Sequence, residues 1–481
     1  MNNEEFRKQG HKMIDWIADY FSEIEKYPVK SNVASREIYN QLPDRAPDQG
    51  ESIEVIMEDF EKIIMPGITH WQSPGFHAYF PANVSYPSIL GETLSTALGL
   101  QCMKWVTSPS ATELEEKVME WIRDMIGLPH DFIGVTQDAA STATLCSIIS
   151  AREKASNFEI NATGFSNIHN FKVYCSTETH SSIEKAVKIA GIGKENLVKI
   201  AVDEQFRLRS DLLGQAIEED LANGKMPICV VAAIGTTGST AIDPLREIGK
   251  ICAKNKIWLH VDAAYAGTAM ILPDLRWMIE GIEYADSFVF NPHKWLFTNN
   301  DCSVYFIKDK QLLLRTFEIF PEYLTSDSDE DEKVNDYCHW GTGLGRRFRA
   351  LKLWFVLRNF GVQGLQDRVQ EHISFGNYFA EQIESDPNFE ILAPYPVALV
   401  CFRFVPDRSM DLNTLNQLNE NLLNNINNTG QVFMTHTKLD EKYTLRFACS
   451  HTFVKKEHIV NTWKLVKSES EKMKPEKTAE R

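Results

Sequence analysis

No cysteine in this chain has a close partner: the nine stand singly at 102, 146, 175, 229, 252, 302, 338, 401 and 449, with no C-x-x-C pair. That spacing offers neither a disulfide framework nor a paired-thiolate metal site, and it suits a reducing, cytoplasmic setting. Basic residues are also scarce, with 50 Lys and Arg against 66 Asp and Glu and a formal net charge of −16. Such a chain repels phosphate backbones and anionic lipid, so neither nucleic acid nor a membrane is expected as a partner. No stretch approaches the roughly 20 apolar residues that cross a bilayer. The opening "MNNEEFRKQGHKMIDWIADYF" carries a helical stripe of Phe6, Met13, Ile14, Ile17 and Phe21 in place of the apolar core of a signal peptide. H-E-x-x-H is absent and no metal is expected. "GIGKEN" (191–196) lacks the third glycine of a dinucleotide loop and precedes a strand pattern, the reverse of the order that loop needs.

What is present reads as an α/β protein. Residues 1–85 are helical in pattern, punctuated by Pro43, Pro47 and Pro66, and too short of strand signals to stand alone. Over 86–350, helical stretches alternate with apolar runs: "FKVYCS" (171–176), "ICVVAAI" (228–234), "KIWLHV" (256–261) and "SFVF" (287–290). Short, wholly apolar strands between helices predict a large parallel sheet covered on both faces. Over 351–481, "LKLWFVLRNFGVQGLQ" begins a long helix, and "VALVCFRFV" and "YTLRFACS" supply strands for a small C-terminal α+β domain. The acidic "SDSDEDEK" (326–333) is expected to be solvated.

Three apolar runs end in polar residues: "GTTGST" after 234, "DAAYAG" from 262, and "NPHKW" from 291. Ligands bind at the carboxyl ends of strands in open parallel sheets, so Asp262 and Lys294 are expected to share one cleft. "QDAASTATLCSIISAREKA" (137–155) is a small-residue turn opening a helix, whose free N–H groups and the hydroxyls of Ser141 and Thr142 form a phosphate cradle. A desolvated amine, a carboxylate and an anion site are the needs of pyridoxal 5′-phosphate. Arg346, Arg347 and Arg349 are read as ion-pair residues at the start of the long helix.

"HVDAAYAG" (260–267) and "NPHKW" (291–295) resemble the signature of the pyridoxal-phosphate-dependent group II decarboxylases, in particular the aromatic-L-amino-acid decarboxylases. The likeness continues through "KIIMPGITHWQSPGFHAYFP" (62–81), "SPSATELE" (108–115), "HSSIEKA" (180–186) and "LGRRFRALKLWFVLR" (344–358). It implies a homodimeric fold-type I enzyme, with 1–85 clasping the partner. Lys294 would bind the cofactor aldehyde, Asp262 pair with its ring nitrogen, and His180 stack on the ring. Ala140, Ser141, Asn291 and His293 would hold the phosphate, while Thr237, Ala264 and His260 would contact the ring and the substrate carboxylate.

The same resemblance gives Tyr323 the reprotonation of Cα and makes the region from there to about 340 a mobile lid. Trp71, Tyr79, Phe80 and Pro81 would wall the substrate pocket, with Gln101 and Met103 supplied by the partner. Ala82 stands where the animal Dopa enzymes carry threonine, which weighs against Dopa. Gln101, Asn300 and Cys338 replace an isoleucine, a phenylalanine and an arginine. Gly345 matches the aromatic enzymes and not the serine of the histidine decarboxylases. The expected reaction turns Phe, Tyr or Trp into its amine and carbon dioxide. Aldehyde synthesis, decarboxylation of another amino acid such as His, and a silent binding platform stay open as alternatives.

Overall fold

The computed structural model describes residues 1–165, 170–319 and 334–473. Seven strands, β1 (Ile133–Gln137), β2 (Phe171–Ser176), β3 (Leu197–Ile200), β4 (Met226–Ala233), β5 (Trp258–Asp262), β6 (Ser287–Phe290) and β7 (Ser303–Ile307), form one sheet in the order β1-β7-β6-β5-β4-β2-β3. The run from β3 to β6 is parallel, as the helical crossovers dictate. Val173, Val231, Val261 and Val289 are fully buried, each side chain contributing about 1.5–3 kcal/mol of apolar burial.

The sheet is parallel except at β7, which pairs antiparallel with both β6 and β1. The cause is the connection: only the four-residue helix Pro292–Trp295 lies between β6 and β7. A parallel return needs a crossover long enough to span the sheet, usually with a full helix. A second, four-stranded sheet follows, of β8 (Phe389–Ile391), β9 (Leu399–Phe404), β10 (Thr435–Leu439) and β11 (Lys442–Ala448), in the order β10-β11-β9-β8. The long helix Arg349–Glu384 is interrupted at Gly361, whose φ of 66° is open to glycine at little cost.

The chain divides into two compact units, one of Met1–Tyr79, Glu381–Glu390 and Phe402–Arg481, the other of Phe80–Ala380 and Ile391–Cys401. This differs from the three-part division at 85 and 350. The N-terminal segment is tied into the C-terminal residues: the Val29 N–H donates to the Gly430 carbonyl at 2.8 Å, and the His77 N–H to that of Phe433 at 2.8 Å. The buried His77 ring adds bonds to the Ala448 carbonyl at 2.9 Å and to Thr462 Oγ1 at 3.1 Å. Residues 337–340 also depart from the lid reading. Tyr337, Cys338 and Trp340 are buried, and the two aromatic rings join the main core.

The three arginines do form ion pairs. Arg346 is buried and donates to Glu115 at 2.6 Å, to the Thr136 carbonyl at 2.8 Å and to Thr136 Oγ1 at 3.0 Å. Arg349 pairs with Asp301 at 2.8 Å, and Arg347 with Glu92. Removing one partner of a buried pair strands a charge. Glu115→Ala is therefore expected to lower unfolding free energy by about 3–5 kcal/mol, and Arg347→Ala, on the exposed side, by about 1 kcal/mol or less. Urea denaturation of the two variants checks this; equal midpoints would contradict it.

Candidate active site

β4, β5 and β6 are neighbours whose register sets Ala233 beside Asp262 and Asp262 beside Val289. Their carboxyl ends therefore release the Gly235–Thr237 turn, Asp262 and the Asn291–Lys294 turn at one edge. These residues, with Ala139, Ala140, Ser141, Thr179, His180, Ser182, Ala264, Tyr265 and Phe80, line a cavity of about 240 Å³. Gly235 is needed at the end of β4: its φ is +83°, and a Cβ there would stand 2.7 Å from that of Ala266.

Lys294 sits in the short helix after β6. Its backbone is clamped, with the Asn83 side-chain amide donating to the Lys294 carbonyl at 2.8 Å and the Asn83 N–H to the His293 carbonyl at 2.9 Å. Its ammonium lies 5.5 Å from the centroid of Phe80. That ring stacks at 3.8 Å on Tyr265, which stacks in turn on Trp295 at 4.9 Å. One oxygen of the buried Asp262 accepts the Ala264 N–H at 3.0 Å.

Two imidazoles of the cavity are neutral with their protons placed. The His180 Nδ1 accepts the Ser182 N–H at 3.1 Å, and burial, then the Lys294 charge, lower its pKa against the opposing pull of Asp262. His293 Nδ1 accepts the Cys302 N–H at 3.0 Å, and burial, then Lys294, lower its pKa to about 4. In both rings the Nε2 keeps the proton. The helix Ala140–Ala155 opens on the cavity, and its first N–H groups have no partner within the helix. Asn291 Oδ1 is buried without a hydrogen-bond partner.

The cavity thus holds Lys294, Asp262, His180, Thr237, Ala140, Ser141, Ala264, Asn291, His293 and Phe80. His260 is fully buried and does not line it. Pro81 is buried elsewhere, while Gln101 is exposed and bonds to the Arg346 N–H at 3.3 Å. Met103 is half-buried, its carbonyl accepting the Cys338 N–H at 2.8 Å. Trp71 and Tyr79 belong to the other unit, are exposed, and stack on each other at 5.6 Å. Tyr323 lies outside the described residues. Sequence reasoning missed Asn83, which no nearby motif marks, and Ser182, although "HSSIEKA" contains it.

These groups fit pyridoxal 5′-phosphate. Its aldehyde needs an amine, its ring nitrogen an acceptor such as the Asp262 carboxylate, and its phosphate the donors of the helix and of His293. A largely parallel sheet carrying them at its strand ends is the scaffold of fold-type I pyridoxal phosphate enzymes. Comparison with known proteins narrows the class. Residues 36–405 match the pyridoxal-dependent decarboxylase conserved domain, and the chain belongs to that family. It is 42% identical to phenylacetaldehyde synthase of Arabidopsis thaliana over 98% of this chain and 96% of that one. It is also 42% identical to tyrosine decarboxylase 2 of Narcissus pseudonarcissus, over 98% and 95%. The structure of Oryza sativa TDC with PLP and tryptamine superposes with a TM-score of 0.96 at 32% identity, over 98% of this chain and 99% of that chain.

Buried histidines set an acid limit. His77, His260 and His293 have pKa values lowered to about 4, chiefly by desolvation, whereas in the unfolded chain each titrates near about 6.5. Between those values only the unfolded state takes up the protons, so stability falls as pH drops through the window. Asp243, pushed up to about 6 by complete burial, works in the opposite sense. Because the three histidines together outweigh Asp243, urea midpoints are expected to be lower at about pH 5 than at about pH 7, by several kcal/mol in free energy. An equal or higher midpoint at the acid value would contradict this.

Proposed function

We propose that this chain decarboxylates aromatic L-amino acids of the Phe, Tyr and Trp class, releasing carbon dioxide and the arylalkylamine. The observation that carries the reading is that Lys294 and Asp262 share one cavity, close enough for the charge of each to act on the His180 ring. When bound, pyridoxal phosphate supplies a protonated heterocycle that accepts the electron pair left as carbon dioxide departs. Asp262 holds the proton at the ring nitrogen, and Lys294 provides the amine that binds the aldehyde. Ala140, Ser141, Asn291 and His293 hold the phosphate, while Thr237 and Ala264 orient the ring. His180 covers the ring face and donates from Nε2 to the substrate carboxylate. Tyr323 delivers a proton to Cα, which yields the amine.

The aromatic substrate class is supported by the relatives and by the Phe80–Tyr265 stack at the cavity wall. Trp71, Tyr79, Phe80, Pro81, Gln101 and Met103 are proposed for the side-chain pocket. A carbon dioxide release assay across L-Phe, L-Tyr, L-Trp, L-Dopa and L-His, with product identification, tests the proposal. Activity confined to L-His would overturn the substrate class. Phenylacetaldehyde synthase among the relatives favours one rival outcome, in which the substrate, dioxygen and water give aldehyde, ammonia, carbon dioxide and hydrogen peroxide. The wild type is expected to give amine, and Tyr323→Phe is expected to shift product toward aldehyde and peroxide by about a hundredfold, the lower end for losing a positioned acid. Unchanged product would remove the role of Tyr323.

The active form is a homodimer, with Gln101 and Met103 serving the partner's site and 1–85 clasping the partner. Tyr86, Leu90, Leu94 and Leu98, each four residues from the next on the helix Tyr86–Leu98, are 52%, 52%, 49% and 57% exposed. An apolar stripe of this kind marks an interaction surface. Sedimentation is expected to give a dimer that Leu90→Glu with Leu94→Glu converts to monomer; a monomeric wild type would defeat the reading. The nine cysteines, all buried and none in a disulfide, support a cytoplasmic location.

A further inference from the structure

His260 stands two residues before Asp262 on β5, so both side chains leave the same face of the strand. Its ring is fully buried and lies outside the cavity. Its Nε2 is 3.1 Å from Thr144 Oγ1, and its Nδ1 is 3.1 Å from Ser147 Oγ and 2.9 Å from Ser287 Oγ. Thr144 and Ser147 project from the helix Ala140–Ala155, whose first residues line the cavity. Ser287 opens β6, the strand that runs into Asn291 and Lys294.

We propose that His260 is a positioning residue for the cofactor: one imidazole that fixes the phosphate-cradle helix, the Asp262 strand and the Lys294 strand relative to one another. Packing alone would be served by an apolar side chain, since buried polar groups cost free energy unless every one is bonded. Here every one is. Ser287 Oγ also accepts the Trp258 indole N–H at 3.0 Å, and Ser147 Oγ bonds to the Tyr305 hydroxyl at 3.0 Å and to Ser287 Oγ at 3.0 Å. Burial holds the ring neutral, with its pKa down to about 4. A neutral imidazole both donates and accepts, so it can join hydroxyls on separate elements from its opposite ring nitrogens. The directional bonds set the spacing among the helix that would hold the phosphate, the carboxylate that would meet the ring nitrogen and the amine that would meet the aldehyde. A site preformed in this way spares the cofactor the cost of ordering it.

This inference rests on the reading that pyridoxal phosphate occupies the Lys294–Asp262 cavity, and the test separates the two. The full-length protein, stripped of cofactor, is titrated with pyridoxal phosphate while visible absorption and visible circular dichroism are followed, for wild type, Thr144→Val, His260→Leu and Lys294→Ala. Apoprotein urea midpoints are measured alongside. Thr144→Val keeps shape but removes the Nε2 partner, so the dissociation constant is expected to rise about tenfold and the visible dichroism to change amplitude; His260→Leu should do more. A lower urea midpoint with unchanged cofactor affinity and dichroism would overturn the positioning role, as would wild-type behaviour throughout. Should His260→Leu fail to fold, Thr144→Val decides alone. Visible absorption that survives in Lys294→Ala would overturn the cavity reading itself, whereas its loss there, with Thr144→Val unaltered, would sink only the role of His260.

Discussion

An amine held out of bulk water survives as a reactive group only if its surroundings answer its charge, and that constraint organises this molecule. Lys294 follows a fully buried strand, a place where a lone ammonium is disfavoured. Asp262, one strand over, opens on the same cavity, and the register of β4, β5 and β6 makes that proximity a property of the sheet more than of two flexible side chains. The backbone around Lys294 is then held from outside the sheet by Asn83. Because one end of the lysine is fixed by the strand and by Asn83, the freedom left to it is that of its own methylene stem.

The remaining cations of the region are kept occupied elsewhere. Arg346 is satisfied by Glu115 and the Thr136 carbonyl, Arg349 by Asp301, and the fully buried Lys352 by Glu92 at 2.9 Å. These pairs fasten the start of the long helix to the core and leave the cavity's positive charge to Lys294 and the helix N-terminus. The division matters for an anionic cofactor. A phosphate in a site with several loose cations could bind in several registers, whereas one helix end and one amine define a direction.

Much of this was legible in the sequence because strand burial leaves a strong signal. "FKVYCS" and "SFVF" coincide with β2 and β6, and the polar residues after β4, β5 and β6 do converge. The antiparallel β7 was not legible, since "SVYFI" is buried throughout and a buried run has the same pattern in either direction. Nor was the union of 1–79 with the C-terminal residues, which rests on contacts such as His77 to Ala448 between distant parts of the chain. Asn83 was invisible for a related reason: a single amide before a helix carries no periodicity, and its importance is evident only from the carbonyl it meets. The resemblance set His260 around the ring, but in the fold it bonds to Thr144 and Ser147 of the helix Ala140–Ala155 and does not line the cavity.

The protonation of His180 bears on which residue can finish the reaction. The Ser182 N–H can only donate, so Nδ1 of His180 must accept, and a neutral ring then carries its proton on Nε2. A neutral imidazole N–H is a good hydrogen-bond donor and a very weak acid. It can steady a carboxylate, but it gives up a proton to carbon far less readily than an imidazolium would, and burial together with Lys294 disfavours the imidazolium. His293 is under the same constraint, with Nδ1 engaged by the Cys302 N–H. The rigid wall of the cavity is thus built to hold charge and orient groups, and its histidines are poor sources of protons. Neither histidine is then a ready source of a proton for Cα, which supports the role proposed for Tyr323.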